Sequence, residues 1–290
     1  LSNAGIYIAI EKGYFKELGI RNELTSFASA AKMVPALTAG ELDVSVGSPS
    51  AGLFNAIAQG AGFRIVADKG QVRPGYGFTL LAVRKDLVDS GQVKSVRDLK
   101  GRKVAARAKG IIQDYVLGMR AEEGGLTFRD LDIIYIGSPN QVTAFETKAI
   151  DAAFAVEPWP ARLVERGLAV RFRTPDQVKG LTPLQVAAIM YSGKFIQERR
   201  PVAQRWMNAY LRGCKVYASK GAQDPEILAI MEKYTKVPAA IIKASIPPYQ
   251  DPDGKLVLGS LSEQIAWYHA NGYLQEKISV ERAVDLSFLK

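Results

Sequence analysis

The chain has 290 residues, 48% of them hydrophobic, and this composition suits one or two globular domains with sizeable cores. Lysine and arginine outnumber the acidic residues by 38 to 29, but the charges are scattered, and no recognisable module indicates nucleic-acid binding. No apolar run approaches the roughly 20 residues that a membrane-spanning helix needs.

Helical and strand patterns alternate with short loops through the first two thirds of the chain, which favours an α/β fold with a mostly parallel sheet. Up to residue 83 the patterns predict a helix at 4–12, an apolar turn at 14–18, a strand at 21–27, a helix at 30–39, a strand at 43–47, a helix at 51–59, a strand at 64–67, a loop at 68–77 and a strand at 78–83. The middle predicts a capped turn at 94–101, a strand at 103–106, a helix at 110–123, a strand at 131–136, a helix at 142–148, a strand at 151–156 and a helix at 161–166. The last third predicts a strand at 184–190 and helices at 202–219, 225–234, 238–245, 260–271 and 279–289.

Cysteine and histidine usage narrows the possible chemistry. The single cysteine, Cys214, and the single histidine, His269, exclude an intramolecular disulfide and a Cys/His zinc site. A Ser-His or Cys-His nucleophile would have to use these two residues, and both lie in helical patterns typical of structural positions. We therefore expect no metal, no cofactor and no catalytic residue.

The turn after the strand at 43–47 is a candidate ligand site. Ser48 is predicted to cap the following helix and Pro49 suits its first position. Open α/β sheets bind ligands where a strand passes into a helix, because the helix presents unpaired N–H groups there. Two roles of Ser48 remain open: it caps the helix only, or it caps the helix and also contacts the ligand.

Several motifs occur in an order that resembles a known family. They are 4–20 (AGIYIAIEKGYFKELGI), 37–43 (LTAGELD), 47–50 (GSPS), 95–104 (SVRDLKGRKV), 151–154 (DAAF) and 157–159 (EPW). Their ordered set is similar to the ABC-transporter substrate-binding proteins of the nitrate/sulfonate/taurine group, also called NMT1/THI5-like or SsuA/TauA-type.

The resemblance implies a type II periplasmic-binding-protein fold, in which two α/β lobes are joined by two crossover strands and bind a ligand in the cleft between them. Lobe 1 would comprise residues 1–83 and 186–290, and lobe 2 residues 84–185. Family members open with a strand before the first helix, so we expect lobe 1 to show a missing or unpaired strand. The partners would be a small-molecule ligand and the permease subunits of an ABC importer. We expect a monomeric periplasmic protein or cell-surface lipoprotein, with its leader absent from this sequence.

Turns between strand ends and helix starts would carry the ligand contacts, and Lys109 stands where relatives often have serine. Glu157 would accept hydrogen bonds from the ligand, and Trp159 would stack on a planar one. The candidate ligand-binding residues are Asn3, Ser48, Pro49, Ser50, Tyr76, Lys109, Gly110, Ile111, Ser138, Glu157, Trp159 and Tyr191.

The character of the ligand stays open between an anion and an aromatic or heterocyclic compound. Lys109, the helix starts and the net charge of +9 favour an anion, whereas Glu157 favours a hydrogen-bond donor.

Two other functions also remain open. One is an enzyme of cofactor-precursor metabolism on the same fold, with an acid/base pair such as Glu157 and Asp114, and the other is a ligand-sensing module.

Overall fold

The computed structural model describes residues 1–27, 30–173, 175–178 and 180–290. The strands are β1 (Val44–Gly47), β2 (Arg64–Val72), β3 (Thr79–Arg84), β4 (Lys103–Ala106), β5 (Asp132–Tyr135), β6 (Ala152–Val156), β7 (Ala169–Arg173) and β8 (Leu184–Tyr191). The helices are α1 (Ala4–Glu11), α2 (Tyr14–Glu17), α3 (Ala30–Ala39), α4 (Ala51–Ala58), α5 (Lys85–Asp89), α6 (Ile112–Glu123), α7 (Ser138–Glu146), α8 (Trp159–Glu165), α9 (Gly193–Glu198), α10 (Arg200–Lys220), α11 (Pro225–Thr235), α12 (Ala239–Ala244), α13 (Leu258–Ala270) and α14 (Val280–Ala283). Within these described ranges, none of the helices has the length and apolar character to cross a membrane.

Two of the predicted elements differ from the structure. Residues 21–27 form no strand: Leu24 is 63% exposed and Phe27 38% exposed, so this segment has no buried face. The strand β2 extends to Val72 and so includes part of the segment predicted as a loop. The polar side chains of this second half, Asp68, Lys69 and Gln71, are buried, although their polarity had suggested an exposed loop. Backbone hydrogen bonds between Gln71 and Tyr249 continue the pairing there.

The chain divides into two compact units. Unit 1 comprises Leu1–Gln71, Leu184–Lys243 and Pro248–Lys290, and unit 2 comprises Val72–Pro183 and Ala244–Pro247. The sequence places the first boundary after residue 83, whereas the structure places it after Gln71, since β3 pairs with strands of unit 2. The second boundary, expected after residue 185, lies after Pro183.

Unit 1 is built around a three-stranded sheet of order β1-β8-β2, in which β1 and β8 are antiparallel. Helix α1 packs against α10, and the two helices meet at Gly5 and Gly213. A Cβ atom on Gly213 would overlap the carbonyl oxygen of Gly5. The side chain of Cys214 fills the adjoining space and is fully buried, as its helical pattern predicts.

A buried carboxylate joins three segments of unit 1. Asp68 Oδ1 accepts hydrogen bonds from Gln185 Nε2 at 2.7 Å and from the N–H of Gly70 at 2.9 Å. Its Oδ2 accepts the N–H of Asp251 at 2.9 Å. Each segment lies within a few residues of a point where the chain passes between the units. Burial raises the pKa of Asp68 to about 7, although these hydrogen bonds oppose the shift.

Unit 2 contains a five-stranded sheet of order β5-β4-β6-β3-β7. Strand β4 is parallel to β5 and to β6, but β3 is antiparallel to β6 and to β7. The sheet is therefore mixed, and the expectation of a mostly parallel sheet is wrong, because β3 lies between β6 and β7 and runs opposite to both. This topology brings the carboxyl ends of β4, β5 and β6 to the same end of the sheet as the start of β3.

Candidate functional site

A half-buried arginine lies at that end of the unit 2 sheet. Arg107 follows the last residue of β4, and its backbone N–H donates to Gln113 Oε1 at 2.8 Å. Gln113 Nε2 in turn donates to the carbonyl of Phe154, which ties the turn to β6. Burial lowers the pKa of Arg107. Within the described part of the chain, its guanidinium forms no ion pair and its buried Nε has no hydrogen-bond partner. Such a group favours an anionic partner.

The next residues form the turn that leads into α6. Gly110 has a φ of +74°, and its N–H donates to Asp114 Oδ2 at 2.8 Å. Ile111 occupies the N-cap position with extended backbone and is fully buried. Lys109 is exposed. The half-buried cation of this turn is therefore Arg107 and not Lys109, because Arg107 is the residue joined to the buried end of β4.

A tyrosine on the neighbouring strand reaches the same turn. Tyr135 is the last residue of β5, and its hydroxyl donates to Asp114 Oδ2 at 3.1 Å. Its side chain nevertheless remains 39% exposed. Tyr135 is not among the residues predicted from the sequence. A tyrosine at the end of a strand next to a basic turn could have indicated it as a candidate site residue. Asp114 and Glu157 have separate hydrogen-bond partners, so the structure does not show them as an acid/base pair.

Ser138 lies at the start of the helix that follows β5. It is the first residue of α7 and is 8% exposed, and Gly137 takes the N-cap position. The helix begins four residues earlier than predicted, because Pro139 fits the first turn of a helix. The role of Ser138 in ligand binding stays a prediction.

The carboxylate of Glu157 is engaged by the protein itself. Oε2 accepts the N–H of Ala161 at 3.0 Å, and Oε1 accepts from Arg171 Nη2 at 3.1 Å and from the N–H of Ile246 at 3.4 Å. Burial raises the pKa of Glu157, against the effect of these partners. The carboxylate of Glu157 thus joins the first turn of α8 to Arg171 and Ile246, and its contact with a ligand stays a prediction. Trp159 begins α8, with the guanidinium of Arg162 5.2 Å from its ring centre.

The turn Ser48-Pro49-Ser50 in unit 1 is buried, but its capping residue differs from the prediction. Ser50 is the N-cap of α4, and its hydroxyl accepts the N–H of Leu53 at 3.2 Å. Ser48 and Pro49 precede the helix, because the chain stays extended through Ser50. Ser48 is 7% exposed and remains a candidate for ligand contact.

Three further candidates have different surroundings. Asn3 occupies the N-cap position of α1, but its Nδ2 donates to the Tyr7 hydroxyl instead of capping the helix. Tyr76 is 39% exposed in the loop before β3. Tyr191 is a fully buried core residue, whereas the sequence suggested a ligand contact at this position. Its hydroxyl donates to the carbonyl of Ala203, and it pairs with Val44 at the far end of β1 from the candidate turn.

Metal binding finds no support in the side chains that the structure describes. Among residues 1–27, 30–173, 175–178 and 180–290, no group of three or more His, Cys, Asp or Glu residues is placed to hold a metal ion.

Curated relatives match about half of this chain. A Brucella abortus protein, whose name provisionally assigns it a binding role, is 30% identical over 146 residues. A Brucella melitensis protein of the same description gives the same values. The match covers 50% of this chain but 41% of these relatives, so it spans less than half of their length.

Solved structures share the fold over nearly the whole chain. The alkanesulfonate-binding protein SsuA from Xanthomonas axonopodis, bound to MOPS, has a TM-score of 0.78 and 19% identity over 98% of this chain and 95% of its own. The periplasmic nitrate-binding protein NrtA from Synechocystis has a TM-score of 0.78 and 17% identity over 97% and 81%. The desulfurization enzyme DSZB has a TM-score of 0.67 and 15% identity over 98% and 94%.

The model of the NMT1-like family matches residues 1–231. The chain therefore belongs to the NMT1-like family, and its mixed α/β fold is that of the periplasmic sulfonate- and nitrate-binding proteins.

Proposed function

We propose that this protein is a solute-binding protein that captures a small organic anion and delivers it to an ABC importer. Membership of the NMT1-like family and the fold shared with SsuA and NrtA support this proposal. Both of those proteins are named for the anions that they bind. The partners would be the permease subunits, and the protein would act as a periplasmic or lipid-anchored monomer.

Arg107 is the observation that carries the proposal. A guanidinium that is partly removed from water loses hydration, and an anion restores favourable interactions through charge-assisted hydrogen bonds. Arginine presents a planar set of donors that matches both carboxylates and sulfonates. The start of α6 lies five residues further on, and the N–H groups of its first turn add positive potential.

Calorimetric titration tests this proposal directly. The wild-type protein is titrated with propanesulfonate, benzenesulfonate, butyrate, benzoate and nitrate at low ionic strength. We expect at least one organic anion to bind. Arg107→Gln should weaken that binding about 10- to 100-fold, since hydrogen bonds to charged groups contribute about 1.5–3 kcal/mol.

The matched control is Arg129→Gln, because Arg129 is an exposed arginine of the same unit. It removes the same charge and should leave the affinity within about twofold. Equal losses in the two variants would point to long-range electrostatics and would contradict a site at Arg107. Failure of every organic anion to bind the wild-type protein would overturn the proposed function.

An enzyme on this fold is the second candidate, because DSZB is also a structural neighbour. A cysteine nucleophile must be ionised and accessible. Cys214 is fully buried, and burial raises its pKa above the usual range. We therefore favour the carrier. Mass spectrometry after incubation with benzenesulfonate, benzenesulfinate or benzoate distinguishes the two, since a carrier returns the compound unchanged and an enzyme does not.

A further inference from the structure

Gln141 is a buried glutamine near the start of α7, the helix that follows β5. It is 1% exposed, and its Nε2 donates to the carbonyl of Ile136 at 2.9 Å. This hydrogen bond fixes the orientation of the amide, because only the nitrogen end can donate to a carbonyl. The other end, Oε1, is also buried and has no hydrogen-bond partner within the described part of the chain. A buried acceptor without a partner is uncommon in folded proteins, so a ligand that donates to Oε1 would satisfy it.

Strand pairing places this amide next to the turn that begins at Arg107. In the parallel pairing of β4 and β5, Ala106 is opposite Tyr135, so the next two residues, Arg107 and Ile136, follow opposite each other. The N–H of Ile136 donates to the carbonyl of Ala106 at 2.8 Å, which keeps the two strand ends together. Adjacent strands lie about 5 Å apart. The amide of Gln141, which is bonded to the carbonyl of Ile136, therefore lies beside the Arg107 turn.

Both side chains lie on the same face of the unit 2 sheet. Ala105 and Phe145 of α7 belong to one hydrophobic cluster, and Ile136 packs against it. Since side chains alternate along a strand, the side chain of Arg107 leaves β4 on the face of Ala105, which is the face that α7 covers. Arg107 Nε is buried and, among the described residues, it too has no hydrogen-bond partner. A donor and an acceptor that lack partners thus lie at one end and on one face of this sheet.

We infer that the solute is a hydroxy acid, whose acid group binds to Arg107 and whose hydroxyl donates to Gln141 Oε1. This inference rests on the proposed function and narrows its ligand class. The guanidinium of Arg107 takes an anion, whereas the amide oxygen of Gln141 takes a hydrogen-bond donor. An ammonium group also donates, but the positive charge of Arg107 repels it, which favours a neutral hydroxyl. An analogue without the hydroxyl leaves the buried acceptor unpaired and therefore binds more weakly.

The experiment compares acids in which the hydroxyl is replaced by a methyl group of similar size. Lactate is paired with isobutyrate, 3-hydroxypropanoate with butyrate, and 2-hydroxyethanesulfonate with propanesulfonate, in calorimetric titrations. Gln141→Met removes the amide and keeps the length of the side chain. Gln141→Glu keeps acceptor oxygens but adds a negative charge. Gln92→Met is the matched control, because Gln92 is an exposed glutamine of the same unit.

We expect the wild-type protein to prefer the hydroxylated member of at least one pair by roughly 3- to 10-fold, the range that one neutral hydrogen bond gives. Gln141→Met should abolish that preference. Gln141→Glu should weaken the binding of both members, because its carboxylate competes for Arg107, and should keep the preference. Gln92→Met should change neither the affinities nor the preference. Because the preference is a ratio measured within one variant, a general loss of stability does not change it.

The opposite results are equally clear. Equal affinity of the wild-type protein for both members of every pair would overturn the inference, and so would an unchanged preference in Gln141→Met. Should Gln141→Met not fold, the wild-type ratios and Gln141→Glu decide, and loss of the preference in Gln141→Glu would also count against the inference.

The variant Arg107→Gln separates the inference from the proposed function. If it still weakened binding although no hydroxylated acid was preferred, the proposed function would stand and only the hydroxy-acid class would fall. A buried water would then be assigned to Gln141 Oε1. If no acid bound to the wild-type protein, the proposed function and the inference would both fall.

Discussion

The buried carboxylate of Asp68 should make the stability of unit 1 depend on pH between about 4 and 7. Burial raises its pKa from 3.8 in the unfolded chain to about 7 in the folded protein. The folded state therefore keeps a proton that the unfolded state has lost in this range. The stabilisation by the protonated form is fully present below pH 3.8, decreases as the pH rises, and is lost above about pH 7.

The size of the effect follows from the two pKa values. At about 1.4 kcal/mol per pH unit, the free energy of unfolding should fall by about 4 kcal/mol across the range. The titratable neighbours are Asp251, whose charge raises the pKa of Asp68 further, and the buried groups Tyr210 and Cys214. Asp68→Asn removes the titration while it keeps the size of the side chain.

Urea unfolding at pH 4 to 8 measures this effect. The fluorescence of Trp206 and Trp267, both in unit 1, reports the transition. We expect the stability difference between wild type and Asp68→Asn to change by about 4 kcal/mol between pH 4 and pH 8. The control Asp89→Asn alters an exposed carboxylate and should leave the pH profile unchanged. A flat difference for Asp68→Asn, or one of opposite sign, would refute the reasoning.

Three substitutions test other contacts by urea or thermal unfolding. Ser50→Ala should destabilise the protein by about 1 kcal/mol through loss of the α4 cap, and Ser48→Ala by clearly less; equal effects would contradict the assignment of the cap. Gly213→Ala should cost at least ~2 kcal/mol because its methyl group would overlap Gly5, whereas Gly259→Ala, in open space on α13, should be neutral or stabilising by up to ~1 kcal/mol. A tolerated Gly213→Ala would mean that α1 and α10 lie further apart. Glu157→Gln should destabilise unit 2 by about 1–3 kcal/mol, as followed by Trp159 fluorescence, because it removes the charge that faces Arg171. The control Glu146→Gln breaks a surface pair with Arg166 and should cost less than about 1 kcal/mol; a similar loss in both would contradict a special role for Glu157.

Local sequence patterns were sufficient to predict the bounds of several helices and strands. Strand β4 has the predicted bounds, and α3 begins and ends where the pattern and Gly40 indicate. Such elements depend on periodicity and on caps, which are properties of neighbouring residues. The segment 21–27 shows the limit of this approach, because a strand also needs a partner, and no local pattern specifies one.

The candidate site was harder to predict because burial decides which polar side chain is available. Arg107 and Lys109 stand two residues apart, yet one is half-buried after β4 and the other is exposed. Tyr191 ends a strand, as several site residues do, but β8 runs antiparallel to β1 and carries Tyr191 away from the candidate turn. Glu157 lies at a strand end, but Arg171 and Ile246, distant in sequence, already occupy its carboxylate.

The division of the chain has a consequence for how the protein emerges from the ribosome. Unit 2 is almost continuous, as 72–183 is supplemented by only the four residues Ala244–Pro247. Unit 1 needs three separate segments, and α1 packs on α10 and α11, which are synthesised about 200 residues later. When the residues of unit 2 have been synthesised, the N-terminal helices still lack the helices against which they pack, whereas unit 2 can already form its sheet. During synthesis the second unit should thus become ordered before the first, and the exposed apolar face of α1 is the part that chaperones would have to protect.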